Sequence, residues 1–424
     1  MDFEHTVKEY TPELEEFRKE VQRWLKENGP PDHIQAPKGD PEDVEEYQHR
    51  LWDWTANFRK KLGAKRWLYP AMPYKYGGGG LTADHAAVIR EELQRLFPSR
   101  IMGWPVMHSV DLIFGPLFVW ATDEQREKFL PGILSGQTIT MQTFTEPHGG
   151  SDLANVKSTA VRDGDAWVLN GQKIFCTGYS RYTKLLFGPF LTDPDSPRHR
   201  NLGFFLIPRE TPGVTLIPLR LLSGTHTNIV LYDNVRIPAG NLVGGDHQGW
   251  QVAQTLLEAE HGGAPTQAAE PLLDSDYGRL SEFIRSTNST KHPLATDPSV
   301  QERLADVYIE SHISTLWGLR NFSQYRANNE LSYEGSQSSL FRKESGLRQA
   351  ERMRAVMGPH TLLSYYDPLA PFEGSLERGQ RGAIPCGGGG SAEVQKVIIA
   401  RRLGMSRTQE AAAPTAGLAI GSPR

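Results

Sequence analysis

MQTFTEPHGGSDLANVKSTA, residues 141–160, divides this chain into two kinds of sequence. Before it, apolar residues recur at helical spacing; after it, to about residue 247, they come in short β-type runs. The stretch itself is rich in Thr, Ser and Gly. Thr143, Thr145 and Ser151 supply hydroxyls, and Gly149-Gly150 lets backbone N–H groups approach an anion closely. On these residues alone, a Gly-rich loop between domains with ordinary turn chemistry is the commoner reading.

Upstream, Thr11 and Pro12 suit an N-cap and first-turn position, and Leu14, Phe17, Val21, Trp24 and Leu25 keep helical spacing up to Gly29. Residues 30–42, rich in Pro, Gly and Asp, predict a loop. Further periodic segments cover about 43–63, 82–96, 108–120 and 122–135. Between them WLYPAMPYKYGGGGL (67–81) ends in four glycines, which exclude a regular element and permit tight turns.

Downstream, AWVL (166–169), KIFC (173–176), KLLFGPF (184–190), GFFLIP (203–208), GVTLIPL (213–219) and IVLY (229–232) read as strands. Asn170-Gly171, between two of these runs, predicts a hairpin turn. Strands separated by turns, with no helices between them, predict an antiparallel barrel or sandwich. Helical spacing returns after Gly249, near 249–261, 268–286, 298–328, 335–357 and 391–403. In the last of these Ser391 can cap, Glu393 suits the positive end of the helix dipole, and Val394, Val397 and Ile398 form an apolar stripe. Arg401 and Arg402 fit the negative end and Gly404 stops the helix; residues 406–424 look like a flexible tail.

The chain has 424 residues, enough for two or three domains, and its 38% hydrophobic and 23% charged content is that of a globular protein. A net charge of −4 provides no basic field, so nucleic acid is not an expected partner. No apolar run is long enough to span a bilayer, and the acidic start MDFEHTVKEYTPELEEF is unlike a secretory leader. Two cysteines, Cys176 and Cys386, form neither a disulfide framework nor a metal-ligand cluster. The expectation is a cytoplasmic protein without metal or stable membrane insertion.

Two more stretches can carry chemistry. In LNGQKIFCTGYSRY (169–182), Phe175 and Thr177 lie two apart on a strand and project from one face. They can set a ring and a hydroxyl against a planar ligand, or be a core residue and a satisfied strand hydroxyl. In PCGGGGSAEVQKVIIARRLGMSR (385–407) a glycine run leads into a capped helix, which aims N–H groups and the dipole at what lies in front, or serves as a hinge. It lacks the Lys-Ser/Thr of a P-loop, and no strand or acidic ribose partner supports a dinucleotide fold.

Taken together, these stretches resemble the acyl-CoA dehydrogenases, over roughly residues 10 to 405. WLYPAMPYKYGGGGL is similar to the family's W-x-x-P…YGG-x-GL, and DEQREKFLPGILSGQ (123–137) to the helix ahead of its barrel. TFTEPHGGSDLANVKSTA resembles the TEPGAGSD signature, and DGDAWVLNGQKIFCTG the DG-x-x-x-x-NG-x-K-x-[WF]-x-[TS] stretch. VRIPAGNLVGGDHQGW (235–250) is similar to the end of the barrel, and GSAEVQKVIIARRLG to the final helix. Order and spacing together make the likeness specific.

The resemblance implies an α+β multidomain fold: an N-terminal helical domain (1–137), a central antiparallel β-barrel (138–248), a C-terminal four-helix bundle (249–405) and a tail (406–424). It implies FAD between barrel and bundle, an acyl-CoA or other acyl thioester as substrate, and electron-transferring flavoprotein as acceptor. A homodimer or homotetramer is the usual assembly. By position, Thr145 bonds the flavin ring, Gly150 and Ser151 meet FAD phosphate or the CoA part, and Phe175 packs on the isoalloxazine. Thr177 reaches flavin N5, and Ser391 and Glu393 contact the cofactor from the last helix.

Desaturation needs a base for the α-proton while a hydride leaves the β-carbon for the flavin. A carboxylate desolvated against flavin and acyl chain can have its pKa raised into the working range. Most members carry this Glu in Y-E-G-T before the final helix; here Gly388-Gly389-Gly390-Ser391 stands there. Some branches place the base on the first helix of the C-terminal domain. In WQVAQTLLEAEHGGAP, Glu260 occupies that position and His261 replaces the usual Arg. On spacing alone Glu258 and Glu260 read as solvated helical glutamates; with the resemblance Glu260 becomes the candidate base.

Three segments leave the family pattern. RSTNSTKHPLATDP (285–298) has no R-x-x-F-G, SGTHTNIV (223–230) is one residue shorter than SG-x-H-x-x-N-x-V, and AVMGPHTLL (355–363) keeps Gly358 without Q-x-x-GG-x-G. Such losses occur in a branch acting on bulky, aromatic or polycyclic thioesters, sometimes as pairs of unlike subunits. Two alternatives therefore stand beside the dehydrogenase: a flavin-dependent oxidase or monooxygenase on the same scaffold, and a non-catalytic partner subunit of a heteromeric dehydrogenase. Trp104, Met107 and Tyr179 are candidates to shape the acyl pocket or to be core.

Overall fold

The computed structural model describes residues 10–29, 41–96, 111–222, 226–262, 275–287, 294–326, 332–364, 367–382 and 388–407. Among them lie eleven α-helices and eight β-strands. They divide into two compact units, one holding 52–86 and 111–261, the other 10–51, 87–96 and 262–407.

The first unit is built on a sheet. Its strands are β1 (Ile139–Gln142), β2 (Thr159–Asp163), β3 (Ala166–Thr177), β4 (Thr183–Leu191), β5 (Leu202–Pro208), β6 (Val214–Arg220), β7 (His226–Pro238) and β8 (Leu242–Val243). Their order is β6-β7-β3-β2-β4-β5-β8, with β1 also paired to β4. The pairing of β1 with β4 is parallel, and β6 and β8 end the order without pairing to each other. The expected antiparallel barrel is therefore corrected to a mixed sheet that, among the described residues, does not close. The sequence hid β1 because in ITMQ only Ile139 and Met141 are apolar, too few to mark a strand beside the longer runs that follow. Just after β1 the chain passes so near β4 that a Cβ at Gly188 would lie 2.1 Å from the Thr143 carbonyl oxygen.

The hairpin expected at Asn170-Gly171 is also corrected. Both residues lie inside β3, and the tight turn is Gly164-Asp165, where Asp163 pairs with Ala166 and Gly164 takes φ 63°. Asn-Gly is instead spent on a register shift between Leu169 and Gly171 against β7. Asn170 Oδ1 accepts from the Asn234 N–H at 2.8 Å, and Gly171, at φ 144°, passes Ser158 where a Cβ would meet its Oγ at 2.2 Å.

Inside the sheet Met141, Trp167, Leu169, Phe190, Phe205 and Tyr232 form one buried cluster. Three helices of this unit matter for the site: α4 (Phe114–Trp120), α5 (Asp123–Leu134) and α6 (Gly249–Gly262). Thr122 and Gln125 form a capping box at the start of α5, and the Gln125 amide donates to the carbonyls of Gly240 and Leu242 at 2.9 and 2.7 Å. Trp120 Nε1 donates to Thr255 Oγ1 at 2.9 Å, fastening α4 to α6.

The second unit is helical. Thr11 caps α1 (Pro12–Asn28) by accepting from the Leu14 N–H at 3.3 Å, as its sequence requires. Arg18 on α1 donates to Glu92 at 2.7 Å and to Glu91 at 2.8 Å on α3 (Ala83–Leu96), the helix that follows α2 (Pro41–Ala64) in the chain. Helices α7 (Asp276–Ser286), α8 (Pro298–Arg326), α9 (Glu334–Met357) and α10 (Ser375–Gly382) share a core of Leu280, Phe283, Ile284, Val307, Met353 and Leu376. Arg348 and Arg352 of α9 reach Glu310 of α8 at 2.6 and 2.7 Å. α10 was hidden in sequence by its length and by Gly379. α6, expected as the first helix of a four-helix bundle, groups with the sheet instead. No helix of the described residues is long and apolar enough to cross a membrane.

Candidate functional site

The TEPHGGSD loop leaves β1 and is pinned from below by a buried ion pair. Lys173 on β3 is fully buried, with Nζ 2.7 Å from Glu146 Oε1 and 2.9 Å from the Pro189 carbonyl. Glu146 in turn accepts from the N–H groups of Lys157 and Ser158 at 2.7 and 3.1 Å. Burial works to raise the Glu146 carboxyl, but the Lys173 ammonium and these donors outweigh it and hold it below the ordinary carboxylate range. Neither residue stood out as functional in the sequence, although E-P and N-G-x-K sit inside the two matched signatures; a glutamate and a lysine 27 positions apart show no sign of pairing until the strands meet.

Above that pair the expected residues come together in part. The Thr145 carbonyl accepts from the Ile174 N–H at 2.8 Å, so Thr145 lies beside the Ile174-Phe175 step of β3. A Cβ at Gly150 would stand 3.2 Å from Thr145 Cγ2, so the loop folds back onto this threonine. Ser151 is exposed, and its neighbour Asp152 pairs with Arg198.

Phe175 differs from the simple strand geometry expected for it. β3 slips register between Lys173 and Cys176, and Phe175 sits in the left-handed region at φ 57° with its ring 52% exposed. The slip is why Lys173 points inward while Phe175, two residues on, points outward; Cys176 returns inside and Thr177 is again exposed. An aromatic residue held at positive φ, with its ring in solvent, carries a backbone cost that the surrounding ladder sustains. The Cys176 thiol behind it is buried, which pushes its pKa up to about 12. Tyr179 packs on Trp52, and the Tyr182 hydroxyl donates to Asp53 at 2.6 Å. Trp104 and Met107 lie outside the described residues.

Glu260 stands on α6 seven residues after the buried Ala253 and four after the buried Leu256, so it continues the helix face turned to its own unit. Gln142, the last residue of β1, brings its amide Nε2 to 3.4 Å from Glu260 Oε2. Gln142 is three residues ahead of Thr145.

In the helical unit, Ser391 caps α11 (Ala392–Arg402) by accepting from the Val394 N–H at 3.3 Å. Gly389 and Gly390 before it take φ 71° and 74°. Glu393 is exposed, and its own backbone N–H and the Ser391 hydroxyl hold its carboxyl below the ordinary range. The expected apolar stripe is not the buried face: Val397 is exposed, and the buried side chain is Gln395, whose Nε2 donates to the Gly389 carbonyl at 2.8 Å.

The donor set suits a flavin. Hydroxyls of Thr145, Ser151 and Thr177, an exposed ring at Phe175 and a glycine turn at Gly149-Gly150 offer partners for carbonyls, a planar ring and phosphate oxygens.

Comparison with known proteins gives three consecutive matches: the acyl-CoA dehydrogenase N-terminal domain over residues 11–137, its middle domain over 142–235 and its C-terminal domain over 247–404. The acyl-CoA dehydrogenase IpdE1 of Mycolicibacterium smegmatis is 33% identical over 310 residues, covering 69% of this chain and 74% of that protein. The acyl-CoA dehydrogenase FadE26 of Mycobacterium tuberculosis is 28% identical over 402 residues, 92% of this chain and 96% of that one. The crystal structure of the ChsE4-ChsE5 complex from Mycobacterium tuberculosis superposes with a TM-score of 0.76 at 26% identity, over 96% of this chain and 100% of its counterpart. With all three domain models in sequence and a one-third identical relative, the chain belongs to the acyl-CoA dehydrogenase family of flavoprotein oxidoreductases.

Proposed function

We propose that this enzyme introduces an α,β double bond into an acyl-CoA or related thioester, with the Glu260 carboxylate removing the α-proton. The observation that carries this reading is the direction of Glu260. It extends the inward face of α6, and its Oε2 lies 3.4 Å from the Gln142 amide, next to the strand that leads to Thr145. The contact turns the carboxylate toward the sheet rather than out into solvent. The glycines at 388–390 leave no carboxylate just ahead of Ser391, where most members of the family carry their base.

FAD is the cofactor of this reading, and when bound it supplies the acceptor for the hydride leaving the β-carbon. The hydroxyls of Thr145 and Thr177 donate to the ring system, and Phe175 gives it an aromatic wall. Gly150 and Ser151 offer an N–H and a hydroxyl to phosphate oxygens. Ser391 and Glu393 are assigned to the cofactor on family resemblance alone. Within the same reading, the chain divides into a helical domain (1–137), a β domain built on the mixed sheet (138–248), a second helical domain (249–405) and a tail (406–424). Electron-transferring flavoprotein takes the electrons, and the working particle is a homodimer, a homotetramer or a heteromer.

The test is anaerobic mixing of the yellow protein with a panel of acyl-CoAs, followed at the flavin absorbance. Glu260→Gln should slow bleaching by about 100-fold or more, the range expected for loss of a general base, with flavin content unchanged. A Gln variant that bleaches at near the native rate rules Glu260 out.

A second reading has one observation behind it: the superposed ChsE4-ChsE5 structure is a complex of two named chains. In that case this chain completes another subunit's flavin site. A colourless protein when expressed alone, active only after mixing with a related chain, would favour it.

A further inference from the structure

We propose that Gln142 is a positioning residue for the α-proton step, its carboxamide holding the Glu260 carboxylate in the orientation that meets the substrate. This rests on the reading of Glu260 as the base.

The backbone that carries Gln142 is held firmly in the sheet. Gln142 ends β1 and pairs in register with Phe187 of β4. Its neighbours fix the backbone on both sides. Met141 is buried in the sheet core, and Thr143 is buried, with its N–H donating to the Phe187 carbonyl at 2.8 Å and its hydroxyl to the same oxygen at 3.1 Å. The Tyr232 hydroxyl donates to Thr143 Oγ1 at 3.1 Å. With 141 and 143 turned inward, alternation along the strand sends the Gln142 side chain to the opposite face, where α6 runs. There its amide meets Glu260 Oε2 at 3.4 Å, a length that leaves room to tighten.

A glutamate near the end of a helix has three rotatable side-chain bonds, and a base that samples several rotamers is rarely aligned with a C–H bond. A neutral amide donor fixed on a strand selects one rotamer without adding a charge. Leu and Met in its place fill the same space but cannot donate.

The experiment isolates the proton step from the redox step. A thioester analogue whose β-carbon is replaced by sulfur can lose its α-proton but has no β-hydride to give. The rate at which it takes deuterium from D2O at the α-carbon, in the flavin-loaded protein, reports the base alone. Gln142→Met should lower this rate about tenfold, the usual order for losing a hydrogen bond to a charged group. The dissociation constant of the analogue and the flavin spectrum should stay within about twofold of native. Gln142→Leu is the second variant should Met pack poorly.

Combining Gln142→Met with Glu260→Gln separates the possibilities. If Gln142 acts through Glu260, the double variant exchanges no more slowly than Glu260→Gln alone. An undiminished Gln142 effect in the Glu260→Gln background, or a native exchange rate in Gln142→Met, overturns the proposal and leaves the base intact. Native exchange in Glu260→Gln by itself overturns the base reading instead.

Discussion

Lys173 Nζ lies 2.7 Å from Glu146 Oε1 beneath the TEPHGGSD loop, with neither side chain open to solvent. The pair joins β3 to the loop that carries Thr145, Gly150 and Ser151. Removing one partner strands the other charge, a change that typically costs about 3–5 kcal/mol. Lys173→Met and Glu146→Leu should each lower the thermal midpoint strongly, and the two together should recover part of the loss. Full additivity of the two single losses in a melt would show that the pair does not act as a unit.

Acid should act on the same contact. The folded-state pKa of Glu146 is depressed, so its contribution is present above the ordinary value of 4.5 and disappears as pH falls through the folded value. Denaturant melts from pH 7 to pH 3 should show native stability falling across that window more steeply than that of Glu146→Gln. Parallel curves would mean that other carboxylates dominate.

Phe175 at φ 57° separates folding from function. Phe175→Gly removes a left-handed strain of about 1 kcal/mol and should leave the flavin-free protein as stable as native or more so. Phe175→Ala keeps the strain and should not gain. Both should hold flavin less tightly, read as free flavin after gel filtration. A Gly variant that melts well below native, and no higher than Ala, would show that the ring, not the backbone, sustains the bulge.

Gly171 has no room for a side chain. A Cβ there would meet Ser158 Oγ at 2.2 Å and Ser158 Cα at 2.7 Å, at a φ of 144°. Gly171→Ala should cost about 2 kcal/mol or more, by overpacking and by backbone strain. Adding Ser158→Gly removes the side-chain conflict but not the one with Cα, so the double variant should fall between native and Gly171→Ala.

Ser391 stabilises the start of α11. Ser391→Ala should lose about 1 kcal/mol, and Ser391→Asp, which can still accept from the Val394 N–H, should lose less. Equal losses in a denaturant titration would remove the cap from the account.

The helices were legible wherever caps and periodicity agreed: Thr11, Ser391 and the run from 298 each appear where their residues require. Strand identity was legible too, and it failed where a local signal had two physical uses. Asn-Gly can serve a tight hairpin or a bulge, and the pairing of β2 with β3, which puts the turn at Gly164-Asp165, decides between them. Parallel pairing of β1 and β4 depends on two segments some forty residues apart, which no local pattern records. For the site, hydroxyls and glycines marked the loop, but the slip that turns Phe175 outward is a property of two strands in register. The contact between Glu260 and Gln142 was likewise invisible, because the two stand 118 positions apart.

Cys176 sits directly behind the outward-facing Phe175, sealed in the sheet interior, with a thiol whose pKa is pushed up to about 12. At neutral pH it is almost wholly protonated, and only the thiolate attacks alkylating reagents. In a Cys386→Ser background, the rate of its modification therefore becomes a clock for momentary opening of the strand that presents Phe175. Ligands that clamp this seat shut should slow the clock, whatever chemistry they undergo, so a sulfur that takes no part in turnover can report who occupies the place in front of it.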